Sequence, residues 1–379
     1  MMPKSLSARR GSRLSDQGDP ESAYLVYVGT YNMAKERGIH AFRFDVVSGQ
    51  LTPLGLGSAA VHPTFVTPDR QGRFLYAVKE VERHERKKSG SVRAYAIDRK
   101  TGKLRFLNEV ASNGTIPCYV ALDRRGNYAM VANYGSGSVE VIRVRKDGRL
   151  SKVTAFDQRA GSSVNPKRQE GPHAHWINVS PDNRYALSSD LGLDKVFVYR
   201  FDEQNGSLEP DDPPYAEVSA GSGPRHIAFA PNGKFVYLIN ELKSTVTVFA
   251  YDRARGALQK LQTISALPKG YKGQSDCAEI AVHPSGKFVY GSNRGHDSIA
   301  VFAVDSQKGT LTSVERVSTQ GKTPRHFVID PTGSYLLAAN QDSDSLVVFR
   351  IDRETGRLTA TGQKLQVTSP ACVRFVTSE

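Results

Sequence analysis

Short stretches of alternating apolar and polar residues follow one another along most of the chain. Two examples are KFVYLIN at 234–240 and VTVFAYD at 246–252. A two-residue period is typical of β-strands, because successive side chains of a strand point to opposite faces of the sheet. No segment combines sustained helical periodicity with helix caps. The pattern therefore predicts an all-β protein.

Two strand-and-turn markers recur and divide the chain into similar units. One is a strand that ends in a polar turn with glycine and then leucine, as in YRFDEQNGSL at 199–208. The other is a strand, a Pro/Asp/Gly turn and a second strand, as in HIAFAPNGKFVYLINE at 226–241. The glycines of the first marker, which suit a hairpin residue with positive φ, are Gly49, Gly102, Gly148, Gly206, Gly256, Gly309 and Gly356. They lie 46 to 58 residues apart, so each unit holds about four short strands, which is one blade of a β-propeller.

The two ends of the chain predict how the propeller closes. Residues 24–32 match the second strands of other units, whereas residues 369–376 match the first strands. The last strand is therefore expected to complete the blade that the first strands begin, and this pairing removes the exposed edges of an open array. We predict a seven-bladed β-propeller over residues 23–379, preceded by a disordered basic tail at 1–22.

Composition narrows the cellular setting and the class of partner. The 51 Lys and Arg against 38 Asp and Glu give a net charge of +13, which favours anionic partners. Three widely spaced cysteines without a CxxC pattern predict a reduced chain with neither disulfides nor a zinc site. The first residues lack the apolar core of a secretory signal, and no apolar run approaches the ~20 residues of a membrane-spanning helix. These features predict a cytoplasmic protein that does not act at a membrane.

Propeller geometry brings two positions of every unit to one face of the central channel, which we call the mouth. The start of the innermost strand and the end of the second strand meet there, because these strands form a hairpin. In register, the predicted start positions are His62, Cys118, His175, Arg225, Ala278, Arg325 and Ala371. The predicted end positions are Asn32, Glu80, Tyr134, Leu191, Glu241, Arg294 and Gln341. Ionisable side chains interrupt apolar strands at both positions, so the mouth is the predicted site.

The chemistry of these side chains favours an anion-binding site. Fork-shaped donors for a carboxylate or phosphate come from Arg225, Arg294 and Arg325. Among such cations, Glu80 and Glu241 are expected to stay ionised and could act as bases toward water. His173 and His175 have no third ligand at a metal-binding spacing, so no metal is predicted. The alternative is that these charges are only solvated and paired around a wet channel.

Several motifs resemble those of the seven-bladed lactonase family, which includes bacterial propeller-type 6-phosphogluconolactonases and fungal muconate-lactonizing enzymes. The motifs include QEGPHAH at 169–175, GPRHIAFAPNGKFVYLINEL at 223–242 and HPSGKFVYGSNRGHDSIAVF at 283–302. The resemblance extends over nearly all of residues 24–376 and implies a site without metal or cofactor. The implied catalytic residues are His175, Arg225, Glu241 and Arg294. The predicted substrate-binding residues are His62, Glu80, His173, Arg325 and Gln341.

The resemblance implies a carboxylic ester hydrolase that opens a sugar-acid lactone, in the first place 6-phosphogluconolactone to 6-phosphogluconate. Arg225 and Arg294 would stabilise the oxyanion that forms when water attacks the carbonyl carbon. Glu241 or His175 would take the proton from water, and Arg325 would hold the phosphate.

Two alternatives stay open from the sequence. The family also contains lactone-forming enzymes, so the same residues could serve a muconate-type cycloisomerase. A non-catalytic scaffold could instead bind an acidic partner through basic outer turns such as those with Lys100 and Lys146. For an enzyme, the expected partner is a small anionic substrate, with no nucleic acid and no membrane. The chain is expected to be a monomer or a weak homo-oligomer.

Overall fold

Seven four-stranded antiparallel sheets form the protein, and each is one blade of a closed propeller. The computed structural model describes residues 23–31 and 38–377. Within each blade, neighbouring strands are antiparallel and hydrogen-bonded to each other. The predicted all-β, seven-bladed architecture is confirmed, whereas the tail predicted at 1–22 lies outside the described residues.

Blades 1 to 3 contain the last strand and, apart from a separate two-stranded hairpin, the first thirteen strands. Blade 1 consists of β1 (Ala23–Thr30), β2 (Gly38–Asp45), β3 (Leu51–Ala59) and β30 (Pro370–Val376). Blade 2 consists of β4 (Val66–Pro68), β5 (Phe74–Lys79), β8 (Ser91–Ile97) and β9 (Leu104–Ala111). A small separate hairpin consists of β6 (Arg83–His84) and β7 (Lys87–Lys88). Blade 3 consists of β10 (Pro117–Leu122), β11 (Tyr128–Asn133), β12 (Ser138–Val144) and β13 (Leu150–Gln158).

Blades 4 to 7 each use four consecutive strands. Blade 4 consists of β14 (Ala174–Val179), β15 (Tyr185–Asp190), β16 (Lys195–Asp202) and β17 (Ser207–Glu217). Blade 5 consists of β18 (Pro224–Phe229), β19 (Phe235–Asn240), β20 (Thr245–Tyr251) and β21 (Leu258–Ser265). Blade 6 consists of β22 (Asp276–Val282), β23 (Phe288–Arg294), β24 (Ser298–Val304) and β25 (Leu311–Ser318). Blade 7 consists of β26 (Pro324–Ile329), β27 (Tyr335–Asn340), β28 (Ser345–Ile351) and β29 (Leu358–Gln366).

The propeller closes through the two ends of the chain, as the strand pattern predicted. Strand β30 pairs antiparallel with β1, with Val28 opposite Val373. It thereby becomes the innermost strand of blade 1. This pairing satisfies the edge that β1 would otherwise expose.

The glycine of each outer hairpin turn holds neighbouring blades together. All seven of these glycines have positive φ, between 67° and 82°, as the turn requires. A Cβ on Gly148 would lie 2.3 Å from a ring carbon of Phe74 in the preceding blade. The Tyr76 hydroxyl donates to the Gly148 carbonyl oxygen at 3.0 Å, and Tyr237 makes the same bond to Gly309 at 3.1 Å. These contacts set the spacing between blades and so the positions of the mouth residues.

Within the described part of the chain, the one helical element is a 3₁₀ turn at Gln341–Ser343. None of the described residues belongs to a helix with the length and apolar character needed to span a membrane.

Candidate functional site

A repeated backbone arrangement brings the start and end positions to the mouth. In blade 5 the Glu241 amide donates to the Gly223 carbonyl oxygen at 2.7 Å, and Pro224 then opens β18. The ladder with β19 shifts register between Pro224 and His226. Arg225 is therefore the extra residue of a β-bulge, a feature that re-aims a side chain, and it lines the channel.

The same bulge occurs in three other blades. The extra residues there are Cys118, His175 and Arg325, and all three also line the channel. One local irregularity, repeated in four blades, therefore aims these start-position side chains into the channel.

In blade 2 the structure corrects the predicted start position from His62 to Thr64. The Glu80 amide donates to the His62 carbonyl oxygen at 3.1 Å. The equivalent bond in blade 5 is the one from Glu241 to Gly223, the residue before the strand-opening proline. His62 also has a left-handed φ of 43°, like Gly223 at 66°. Pro63 therefore occupies the place of the strand-opening proline, where a residue without an amide hydrogen is tolerated. Thr64 follows it in the chain and lines the channel.

In blade 1 the described residue at the end position is Tyr31, whose amide donates to the Ser369 carbonyl oxygen at 2.9 Å. The prediction had placed Asn32 there, and Asn32 lies outside the described residues. The Tyr31 ring packs edge-on against His62, with 6.2 Å between the ring centroids. His62 thus borders the mouth through an aromatic contact, although it does not occupy the start position.

Glu80 is held by neutral hydroxyls on one side of the mouth. The Tyr31 hydroxyl donates to one carboxylate oxygen and the Thr64 hydroxyl to the other. Arg325 donates to the Tyr31 hydroxyl at 3.0 Å, and its guanidinium lies 4.8 Å from the Tyr31 ring centroid. The structure therefore joins the predicted residues Glu80 and Arg325 through a tyrosine that the sequence analysis did not assign.

Glu241 lies beneath three guanidinium groups on the other side of the mouth. Arg168 Nη2 is 2.5 Å from Glu241 Oε1, while Arg225 Nε and Arg294 Nη2 are 3.0 Å and 2.9 Å from Oε2. The Glu241 side chain is only 4% exposed. Burial opposes its ionisation, but the charges of Arg294, Arg225 and Arg168 hold the pKa of Glu241 well below its usual range.

Arg168 is the principal site residue that the sequence analysis missed. It belongs to the long connection between β13 and β14, and its side chain remains 37% exposed at the mouth. This connection has no counterpart in the other blades, so the register of the repeat could not place it. Its position directly before the QEGPHAH motif was the available signal.

His175 is a buried, neutral imidazole in the channel wall. Its Nδ1 lies 3.7 Å from Cys118 Sγ, and its ring packs against those of Tyr134 and His226 at 5.5 Å and 5.1 Å. Burial, followed by the positive charge of Arg225, holds the pKa of His175 well below its ordinary value. His175 therefore keeps one unprotonated ring nitrogen over the physiological pH range.

The remaining two predicted residues lie at the rim of the mouth. His173 stacks on Tyr134 at 4.5 Å, and its Nδ1 and Nε2 face the Tyr134 carbonyl oxygen and Glu170 Oε1 at 2.9 Å and 3.2 Å. Gln341 directs its amide nitrogen to Asp342 Oδ1 at 3.3 Å, while its Oε1 is buried without a hydrogen-bond partner. Neither residue contacts Glu241, so both have peripheral positions.

Asp276 is a second residue that the sequence analysis missed. It pairs with Arg294 across β22 and β23. Burial and the negative charge of Glu241 raise the pKa of Asp276 above its usual value. The pKa values of the two carboxylates on this side of the mouth are therefore shifted in opposite directions, and Asp276 is the more basic of the two.

Two buried histidines around the Glu279 carboxylate support the floor of the mouth. His226 Nδ1 and His326 Nε2 each lie 3.0 Å from Glu279 Oε2. All three residues are at most 7% exposed. These buried contacts give the two histidines a structural role beneath the site.

Comparisons with known proteins agree with the geometry over nearly the whole chain. A family model described as Lactonase, 7-bladed beta-propeller matches residues 25–375. A 6-phosphogluconolactonase of Bacillus subtilis is 38% identical over 307 residues, which are 81% of this chain and 85% of that protein. A 6-phosphogluconolactonase of Formosa agariphila is 34% identical over 80% of this chain and 86% of its own length. The structure of a periplasmic gluconolactonase from Pseudomonas aeruginosa superposes with a TM-score of 0.87 at 36% identity, covering 94% of this chain and 100% of that chain.

Proposed function

Because the chain belongs to the lactonase family of seven-bladed β-propellers, we propose that it hydrolyses a sugar-acid lactone, with 6-phosphogluconolactone as the first candidate substrate. The observation that carries this proposal is the buried Glu241 carboxylate beneath three guanidinium groups at the mouth. Such an arrangement combines anion binding with a proton acceptor, which are the two requirements of lactone hydrolysis.

Substrate binding begins at the exposed cations. Arg168 is 37% exposed and Arg294 is 15% exposed, so both can exchange part of their contact with Glu241 for a ligand. A guanidinium offers a phosphate two parallel donors. We assign the phosphate to Arg168 in preference to Arg325, because Arg325 is already engaged with Tyr31. Arg325 then supports the opposite wall of the mouth.

The chemical step is the attack of water on the lactone carbonyl carbon. A bond forms between the water oxygen and this carbon, and the negative charge that develops on the carbonyl oxygen is stabilised by Arg225 and Arg294. The bond between the carbonyl carbon and the ring oxygen then breaks. The proton taken from water returns to the ring oxygen, which leaves as a hydroxyl, and the product is the open-chain acid.

Glu241 accepts the proton only when substrate is present. In the free mouth, its three guanidinium partners make it a weak base. A bound anion shares the charge of these arginines, which raises the pKa of Glu241 toward its ordinary range. His175, neutral beside this carboxylate, orients the attacking water. Substrate binding and activation of the base are therefore coupled.

A panel of lactones tests the proposed function. We expect the protein to accelerate loss of 6-phosphogluconolactone above its spontaneous hydrolysis, and to act more slowly on unphosphorylated gluconolactone. Incubation with cis,cis-muconate, followed by its ultraviolet absorbance, tests the cycloisomerase alternative in the same experiment. Hydrolysis of no lactone in the panel would contradict the proposal, and consumption of muconate alone would favour the alternative.

The state of His175 predicts a specific pH profile. Because the pKa of His175 lies well below the ordinary value of about 6.5, the imidazole stays neutral as pH falls from about 8 to about 6. We therefore expect kcat/KM, corrected for spontaneous hydrolysis, to show no inflection near pH 6.5. An inflection there that the His175→Asn variant abolishes would contradict this expectation.

A further inference from the structure

We propose that a cleft on the face opposite the mouth binds a compact anion that carries two or more phosphoryl groups. The cleft lies between blades 2 and 3 and is formed by the turns at 69–73, 123–127 and 145–149. The first two turns follow innermost strands that start at the mouth, so they lie at the other end of the channel. The proposal concerns a site separate from the one that opens the lactone.

The cleft is strongly cationic. Six arginines and Lys146 line it, and Asp69 is the one carboxylate among the lining residues. Asp69 accepts hydrogen bonds from the Arg73 amide at 2.6 Å, the Phe74 amide at 2.8 Å and Arg73 Nε at 3.2 Å. The negative charge of Asp69 is therefore already compensated by donors of its own turn. Crowding of the remaining cations costs free energy, and a polyanion would relieve this repulsion.

The repeat shows that one of these cations replaces an acidic residue. In six blades the outer turn begins with an aspartate whose carboxylate accepts turn amides, namely Asp45, Asp98, Asp202, Asp252, Asp305 and Asp352. In blade 3 this place is occupied by Arg145. The Arg145 amide donates to the Arg149 carbonyl oxygen at 2.8 Å, just as the Asp252 amide donates to the Ala257 carbonyl oxygen at 2.9 Å. The carboxylate of this turn lies two residues later, where Asp147 accepts from the Arg149 amide at 3.1 Å. The first position of the turn therefore presents a cation to the cleft where the other blades have an anion.

Two other guanidinium groups of the cleft are held against aromatic rings. Arg143 lies 5.5 Å from the Tyr128 ring centroid, and its Nη1 donates to the Tyr128 hydroxyl at 2.9 Å. Arg73 lies 5.1 Å from the Phe74 ring centroid. Arg125 pairs with Glu203 at 2.6 Å and Arg73 with Asp69 at 3.2 Å, so two cations of the wall have a counter-charge. Stacked arginines are oriented in advance, which lowers the entropic cost of binding a phosphate.

The dimensions and surroundings favour a compact ligand over a nucleic-acid duplex. The cleft has a volume of about 470 Å³, which suits a nucleotide or a short polyphosphate. The corresponding inner turns of blades 5 to 7 read PNGK, PSGK and PTGS, so these turns contribute no arginine. A duplex would need an extended row of cations along its phosphates.

Titration calorimetry of the full chain with inorganic tripolyphosphate, at constant ionic strength, tests the proposal. We expect tripolyphosphate to bind at the cleft, and we expect Arg145→Asp/Lys146→Ala to weaken this binding by about tenfold or more. The matched control is Arg253→Asp/Arg255→Ala, which makes the same charge change in the outer turn of blade 5 and should leave the affinity nearly unchanged. Both double variants should retain the lactonase rate of the wild type, which also reports on folding.

Three results would overturn the proposal. Equal weakening by both double variants would mean that the net charge of +13 attracts the anion without a defined site. Unchanged affinity in Arg145→Asp/Lys146→Ala would place the binding elsewhere, for example among the arginines of the mouth. Tighter binding of a DNA duplex than of tripolyphosphate at the same ionic strength would show that the cleft serves an extended polyanion.

Discussion

Replacing Glu241 by glutamine is expected to lower kcat/KM for the lactone by about 10²–10⁴-fold, the usual contribution of a general base. The amide keeps the size of the side chain and can still accept a hydrogen bond. It loses the negative charge that faces Arg168, Arg225 and Arg294, and it cannot take a proton from water. The measurement is the enzymatic rate after subtraction of spontaneous hydrolysis. An unchanged rate would rule out Glu241 as the base.

Glu109→Gln is the matched control for this variant. Glu109 is also a partly buried glutamate among cations, since it accepts from Ser91 Oγ at 2.5 Å and Arg93 Nε at 2.9 Å and lies 3.6 Å from Lys79 Nζ. It belongs to β9, the fourth strand of blade 2, away from the mouth. We expect its variant to keep the wild-type rate. A similar loss of rate in both variants would indicate a general effect of removing a charge.

Replacing Asp190 by alanine is expected to lower the free energy of unfolding by about 3–5 kcal/mol, the typical cost of breaking a buried ion pair. The Asp190 side chain is fully buried, and its Oδ2 lies 3.0 Å from Arg159 Nη1. Its Oδ1 accepts hydrogen bonds from the amides of His173, Gly192 and Leu193 at 2.8–3.2 Å. The variant would leave the buried Arg159 without its main counter-charge and would loosen the segment that follows Arg168. Urea unfolding gives the measurement.

Asp157→Ala is the matched control, because Asp157 faces the same arginine. Its Oδ2 lies 3.6 Å from Arg159 Nε, but its side chain is 39% exposed. Solvent screens such a pair, so we expect the free energy of unfolding to fall by about 1 kcal/mol or less. If the two aspartate variants lose equal stability, burial of the Asp190 pair is not the cause of its effect.

Much of the mouth could be predicted from the repeat alone. His175, Arg225, Glu241 and Arg294 interrupt otherwise apolar strands at equivalent places, and the structure brings Arg225 and Arg294 each to within 3.0 Å of the Glu241 carboxylate. His175 lies beside them in the channel wall. These residues belong to regular blades, so register was sufficient to find them. Their catalytic roles remain predictions that the variants above test.

The errors of register have a common cause. His62 and Asn32 were placed by matching polar residues, whereas the backbone follows the strand-opening proline. Pro63 identifies Thr64 as the start position of blade 2. The Tyr31 amide donates the backbone hydrogen bond that identifies the end position of blade 1. The proline signal was present in the sequence. The register slips by one residue in blade 1 and by two in blade 2, where the innermost strand β4 is only three residues long.

The sequence by itself determined the number of blades, their hairpin turns, the closure by the terminal strands and most of the mouth. These features depend on local preferences that recur seven times: apolar alternation, glycine at positive φ, and proline at a strand start. Only the tertiary structure revealed Arg168 over Glu241 and the arginine-lined cleft between blades 2 and 3. Both depend on contacts between segments far apart in sequence, and no local preference encodes which connections meet.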